Sequence, residues 1–157
     1  MQMLAQLDHE HVVLDATINH FDALLQRPRQ AHPTDVRKIL QTLIHQLSAH
    51  LQFEASMFSL PLQASGHARP DVMDRLSAEH QDLQATLHHL EHFCAQPRLL
   101  NDEIFLLYSA HLIDLYREHS DREHQCLCPA LEQLPSAHSR HSTLVPFLEI
   151  DSSRVTS

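Results

Sequence analysis

The chain repeats itself with an offset of 69 residues. His11 returns as His80, His50 as His119 and Glu54 as Glu123. Residues that are not read as ligands repeat as well. Glu10, Leu14, Ala16, Thr17 and His20 come back as Glu79, Leu83, Ala85, Thr86 and His89, and Pro28-Arg29 comes back as Pro97-Arg98. Two similar halves in one short chain are expected to pack about a pseudo-two-fold axis. Each half offers one histidine, then a second histidine with a glutamate four residues on. Facing each other, the halves would make a symmetric site suited to a pair of metal ions.

At 157 residues the chain is long enough for one domain with a real core and too short for two of ordinary size. Glycine occurs once, at Gly66, and tryptophan never, while leucine, histidine, alanine and glutamine are abundant. Such a composition predicts an all-α fold. The formal charge of −9, with Lys38 the single lysine, argues against nucleic acid or an anionic membrane surface as partner. No apolar run approaches the ~20 residues of a membrane span. Three cysteines, an odd number, do not make a disulfide framework, so a reducing, cytoplasmic setting is expected.

Breakers divide the sequence into four long helical segments, at about 3–26, 34–61, 71–95 and 101–134. The first stops before Pro28, which disfavours helical geometry at the residue preceding it. Thr34 is the expected N-cap of the second, with Asp35 in its first turn; Asp102 and Glu103 fall in the first turn of the fourth. Apolar residues recur at helical spacing, as in Leu4, Leu7, Leu14, Ile18 and Leu25, in Ile39, Leu43, Leu47 and Met57, and in Tyr108, Leu112, Leu115, Cys126 and Ala130. Short connections favour an up-down-up-down antiparallel four-helix bundle over residues 1–134. Residues 135–157 read as a tail, with a short helix at 144–150 and a frayed end.

The candidate ligands lie on those apolar stripes. At 100° per residue, His119 points within about 20° of Leu112 and Cys126. His50 shares its stripe with Leu43 and Met57, and His11 with Leu4 and Ile18. A buried imidazole needs a hydrogen bond or a metal. Depth agrees with direction. Counted from the turns near Arg29, Ser65 and Arg98, the four histidines reach the same level of the bundle within about 4–5 Å at the helical rise per residue. One turn beyond each comes Asp15, Glu54, Gln84 or Glu123, every one an oxygen donor. Four imidazoles with at least two carboxylates suit iron, manganese or zinc, and the lack of thiolates argues against a structural zinc site.

Glu10-His11, His50-Leu-Gln-Phe-Glu54, Glu79-His80 and His119-Ser-Asp-Arg-Glu123 together resemble the hemerythrin-like family, the His-His-Glu cation-binding domain, over residues 7–134. The resemblance implies two non-haem iron ions joined by an oxo or hydroxo bridge, with manganese or zinc as substitutes. It implies that His11 and His50 serve one ion, that His80 and His119 serve the other, and that Glu54 and Glu123 bridge them. The chain departs from the oxygen carriers of that family at Gln84, where they have a further histidine. It departs again at Glu123, where they have an aspartate at five-residue spacing. Fewer strong ligands turn the implied chemistry from reversible oxygen carriage towards sensing, redox reaction with dioxygen, nitric oxide or peroxide, or iron handling. The alternative is a non-catalytic, iron-responsive module. The ferritin-like alternative needs Glu-x-x-His, which is absent from the sequence.

Other residues carry weaker expectations. Cys126 falls on the core stripe near the site and is expected to pack rather than react. Tyr116, one turn before His119, is the better placed of the two tyrosines to donate a hydrogen bond near a bound ligand. His20 and His89 are expected to face outward, and His45 and His88 to lie on the surface.

Overall fold

The computed structural model describes residues 2–27, 31–57, 69–100 and 102–133. Within these it is all-helical: α1 (Gln2–Leu25), α2 (Pro33–Met57), α3 (Pro70–Cys94), a 3₁₀ turn at Pro97–Leu99, α4 (Glu103–Arg122), a π turn at Glu123–Leu127 and the short α5 (Cys128–Glu132). Helix α1 packs on α2, α2 on α3, α3 on α4 and α4 back on α1, closing a four-helix bundle. No helix among the described residues is long and apolar enough to cross a membrane. The tail at 135–157, with its expected short helix, lies outside the described residues, as does Gly66.

Local chemistry sets the helix ends. Asp102 caps α4 by accepting the Ile104 amide at 2.8 Å, so it stands before the first turn rather than in it. Helix α3 starts with Pro70, whose missing N–H costs nothing there, after the extended Arg69. Thr34 is not a cap. Proline takes the first helical place at Pro33, and the His32 ring accepts the Thr34 amide at 3.3 Å.

The 69-residue repeat is carried by the core. Leu7, Leu14, Ile18, Phe21, Leu43 and Ile44 are buried, and so are their counterparts Leu76, Leu83, Leu87, Leu90, Leu112 and Ile113. Each such leucine contributes about 1.5–3 kcal/mol relative to exposure. The buried apolar residues fall into two clusters. The larger runs through Leu14, Leu43, Leu83 and Leu112, and the smaller holds Leu7, Leu76, Leu127, Ala130 and Leu131. His11 stands between Leu7 and Leu14, and His80 between Leu76 and Leu83, so a polar layer separates the two clusters.

The fourth segment is not one regular helix. In the π turn the Cys128 amide bonds the Glu123 carbonyl, five residues back. Pro129 supplies the reason, because it has no N–H to give and its ring crowds the carbonyl four places earlier. The wider turn inserts one residue and shifts the register. Leu127 enters the core, and Cys126, expected on that stripe, is only partly buried.

Candidate metal centre

All four helices point side chains into the polar layer. Helix α1 brings His11, α2 brings His50 and Glu54, α3 brings His80, and α4 with the first residue of the π turn brings His119 and Glu123. None of the six is more than 7% exposed. They form two groups of four, His11-His50-Glu54-Glu123 and Glu54-His80-His119-Glu123, each with donor atoms within 4.8 Å of one another. The structure thus assembles all six sequence-predicted residues.

The glutamates are shared crosswise. Glu54 of the first half lies 2.9 Å from His80 Nε2 and 3.3 Å from His119 Nε2, and 3.2 Å from its own His50. Glu123 of the second half lies 3.0 Å from His11 Nε2 and 3.9 Å from His50 Nε2, and 3.5 Å from its own His119. The His11–His50 and His80–His119 ring pairs match closely, with both centroid distances 4.9 Å and both edge-on.

Electrostatics set the protonation of the centre. Burial lowers His11 to about 4, aided by the neighbouring His50, so its ring is neutral and its lone pair available. Burial pushes Glu123 far above the usual carboxylate range, and its hydrogen bond with Glu54 pushes the same way. Burial acts against ionisation of Glu54 too, yet hydrogen bonds from Glu123, His119 and His80 hold it well below its ordinary value. The pair therefore keeps one proton between two carboxylates.

The donor set fits a pair of cations. Buried polar atoms are nearly always hydrogen-bonded. Here His50 Nε2, Glu54 Oε1 and Glu123 Oε1 are buried without a hydrogen-bond partner among the described residues. Cations between the carboxylates would engage these atoms and offset the negative charge. No cysteine joins either group.

Two functional residues were missed in the sequence. Glu10 Oε2 stands 3.1 Å from His50 Nδ1, and Glu79 Oε2 stands 3.3 Å from His119 Nδ1. Each carboxylate is placed to accept an Nδ1–H, the arrangement that leaves Nε2 facing the centre behind metal-binding histidines. The signal was available, since both precede a ligand histidine and repeat with it. Asp15 joins neither group; it accepts the Tyr116 hydroxyl at 2.9 Å. That bond, after burial and together with the Asp15 charge, pushes the Tyr116 phenol upward. Gln84 is exposed, as are His20, His45, His88 and His89.

The family model for the hemerythrin HHE cation-binding domain matches residues 2–131. The chain belongs to this hemerythrin family. No curated protein and no solved structure matches it significantly. As a hemerythrin-family cation-binding domain it carries paired His/Glu clusters at the level where its four helices converge.

Proposed function

We propose that this hemerythrin-like domain holds two non-haem iron ions and binds or reacts with dioxygen, nitric oxide or peroxide, or handles iron by redox change. The observation that carries this reading is the sharing of two buried glutamates by two histidine pairs. Such sharing serves a pair of ions rather than one. When bound, iron would supply electrons to a small oxidant.

The protein's own residues do the rest. His11 and His50 would hold one ion, and His80 and His119 the other, with Glu54 and Glu123 reaching both. Four protein donors per position would leave room for a small exogenous ligand on a bound ion. Glu10 and Glu79 fix the rings of His50 and His119. The apolar clusters on either side, with Leu7 and Leu76 below and Leu14 and Leu83 above, restrict water. A reducing cytoplasmic setting fits the three cysteines, an odd number that makes no disulfide framework.

Anaerobic reconstitution with Fe(II), metal analysis and an optical spectrum before and after air test the reading. Two irons per chain with a new ferric charge-transfer band are expected. Iron uptake without any response to air or peroxide would favour the non-catalytic iron-responsive module. A folded chain that takes up little iron would refute the di-iron assignment.

A further inference from the structure

The two cation positions match in every candidate ligand and differ in the charges behind them. Glu10 and Glu79 do the same task in the two halves, yet their second oxygens meet different partners. Glu10 Oε1 accepts a hydrogen bond from the neutral Gln6 amide at 3.0 Å. Glu79 Oε1 is paired with the Arg122 guanidinium and lies 3.5 Å from Arg75. Gln6 and Arg75 occupy matching places of the repeat, and the counterpart of Arg122 is Phe53. Arg122 is the stronger influence of the two arginines. Its side chain is 20% exposed, whereas that of Arg75 is 67% exposed and screened by solvent.

The consequences for the imidazoles follow from hydrogen-bond chemistry. A carboxylate whose charge is already matched by a guanidinium is a weaker acceptor. It draws the His Nδ1–H less and leaves the ring a poorer donor at Nε2. The His124 ring, 4.9 Å from His11, has only Ala55 as its counterpart and acts in the opposite sense, but a further difference acts in the same one. Asp15, one turn from His11, is replaced by the neutral Gln84 one turn from His80.

We propose that the two cation positions are unequal in strength, that the His11/His50 position fills first, and that Arg122, acting through Glu79 on His119, sets the difference. Arg122 is in this account a positioning residue and touches no cation. The inference rests on the two-ion reading above. It goes further by ranking the positions and naming the residue responsible.

Calorimetric titration of the chelator-treated full chain with Zn(II), a redox-silent probe, tests it. Two steps are expected, the first about tenfold or more tighter than the second, in line with the effect of such outer partners on metal affinity. His80→Ala should leave only the tight step and His11→Ala only the weak one. Arg122→Met should bring the two steps together by strengthening the second. Gln6→Arg, a change at the exposed Gln6–Glu10 contact, should bring them together by weakening the first. Circular dichroism checks that each variant is folded. Two equal steps in the unaltered chain, or steps that keep their separation in both Arg122→Met and Gln6→Arg, would overturn the proposal while leaving the two-ion reading intact. A single ion per chain would overturn both.

Discussion

Raising the pH above neutrality should destabilise the metal-free protein and leave the metal-loaded protein almost unchanged. Glu54 and Glu123 are each 0% exposed and hydrogen-bonded to one another, so the native pair keeps a proton that the unfolded chain gives up near the ordinary value of 4.5. Above that pH the native state holds the extra proton, and stability falls as pH rises. His11 acts in the opposite sense. Its native value of about 4 lies below the ordinary 6.5, so between the two the unfolded chain binds the extra proton and stability rises with pH. From 4.5 to 6.5 the two contributions offset one another. Above 6.5 only the Glu123 proton remains, at ~1.4 kcal/mol per pH unit, or about 3 kcal/mol between pH 6.5 and 8.5.

Bound cations take the place of that proton, and the loaded protein then has no such slope. Urea unfolding at pH 6.5, 7.5 and 8.5, in chelator and in saturating Zn(II), measures both curves. Glu123→Gln in chelator should be flat across the same range. A metal-free protein whose stability does not fall from pH 6.5 to 8.5 would refute the shared proton, and so would parallel curves with and without metal.

Three further outcomes are expected. Glu54→Ala and Glu123→Ala should each lose most of the bound metal while the outward His20→Ala keeps it; equal metal content in all three would contradict the site. Leu127→Ala should cost about 2–5 kcal/mol in chemical denaturation and Cys126→Ala under about 1, because the π turn places the leucine in the core; the reverse order would mean a regular helix there. Tyr116→Phe should cost about 1 kcal/mol by removing the hydrogen bond to Asp15, and Asp15→Asn should leave metal content unchanged, whereas metal loss in Asp15→Asn would make it a ligand.

The parts of this molecule that follow from period and spacing were legible in the sequence. Helical stripes and matched turn distances bring His11, His50, His80 and His119 to one level, and a glutamate one turn beyond His50 and His119 must join them. The missed features depend on crossings between helices or on irregular backbone. Glu10 meets His50 and Glu79 meets His119 across 40 residues of chain, and Tyr116 reaches Asp15 across 101. Helical periodicity says nothing about such contacts, although the repetition of Glu10 as Glu79 beside a ligand candidate was a usable sign. The π turn escaped because a regular 100° step was carried through Pro129, the one residue able to interrupt it.

The crosswise sharing of Glu54 and Glu123 bears on how a duplicated chain keeps its site. Had each half held its own glutamate against its own histidines, either half could drift without harm to the other. Here Glu54 faces His80 and His119 of the second half, and Glu123 faces His11 and His50 of the first. Loss of either carboxylate therefore unpairs buried imidazoles of the opposite half, at a cost of about 1–3 kcal/mol for each polar group left unsatisfied. The layer that meets the cations is thus held to the repeat. Glu10 and Glu79 keep the repeat as well, while their own partners, Gln6 in one half and Arg75 with Arg122 in the other, sit at part-exposed positions where substitution unpairs no buried donor. Divergence between the halves is cheapest there, and that is where the two positions acquire their difference.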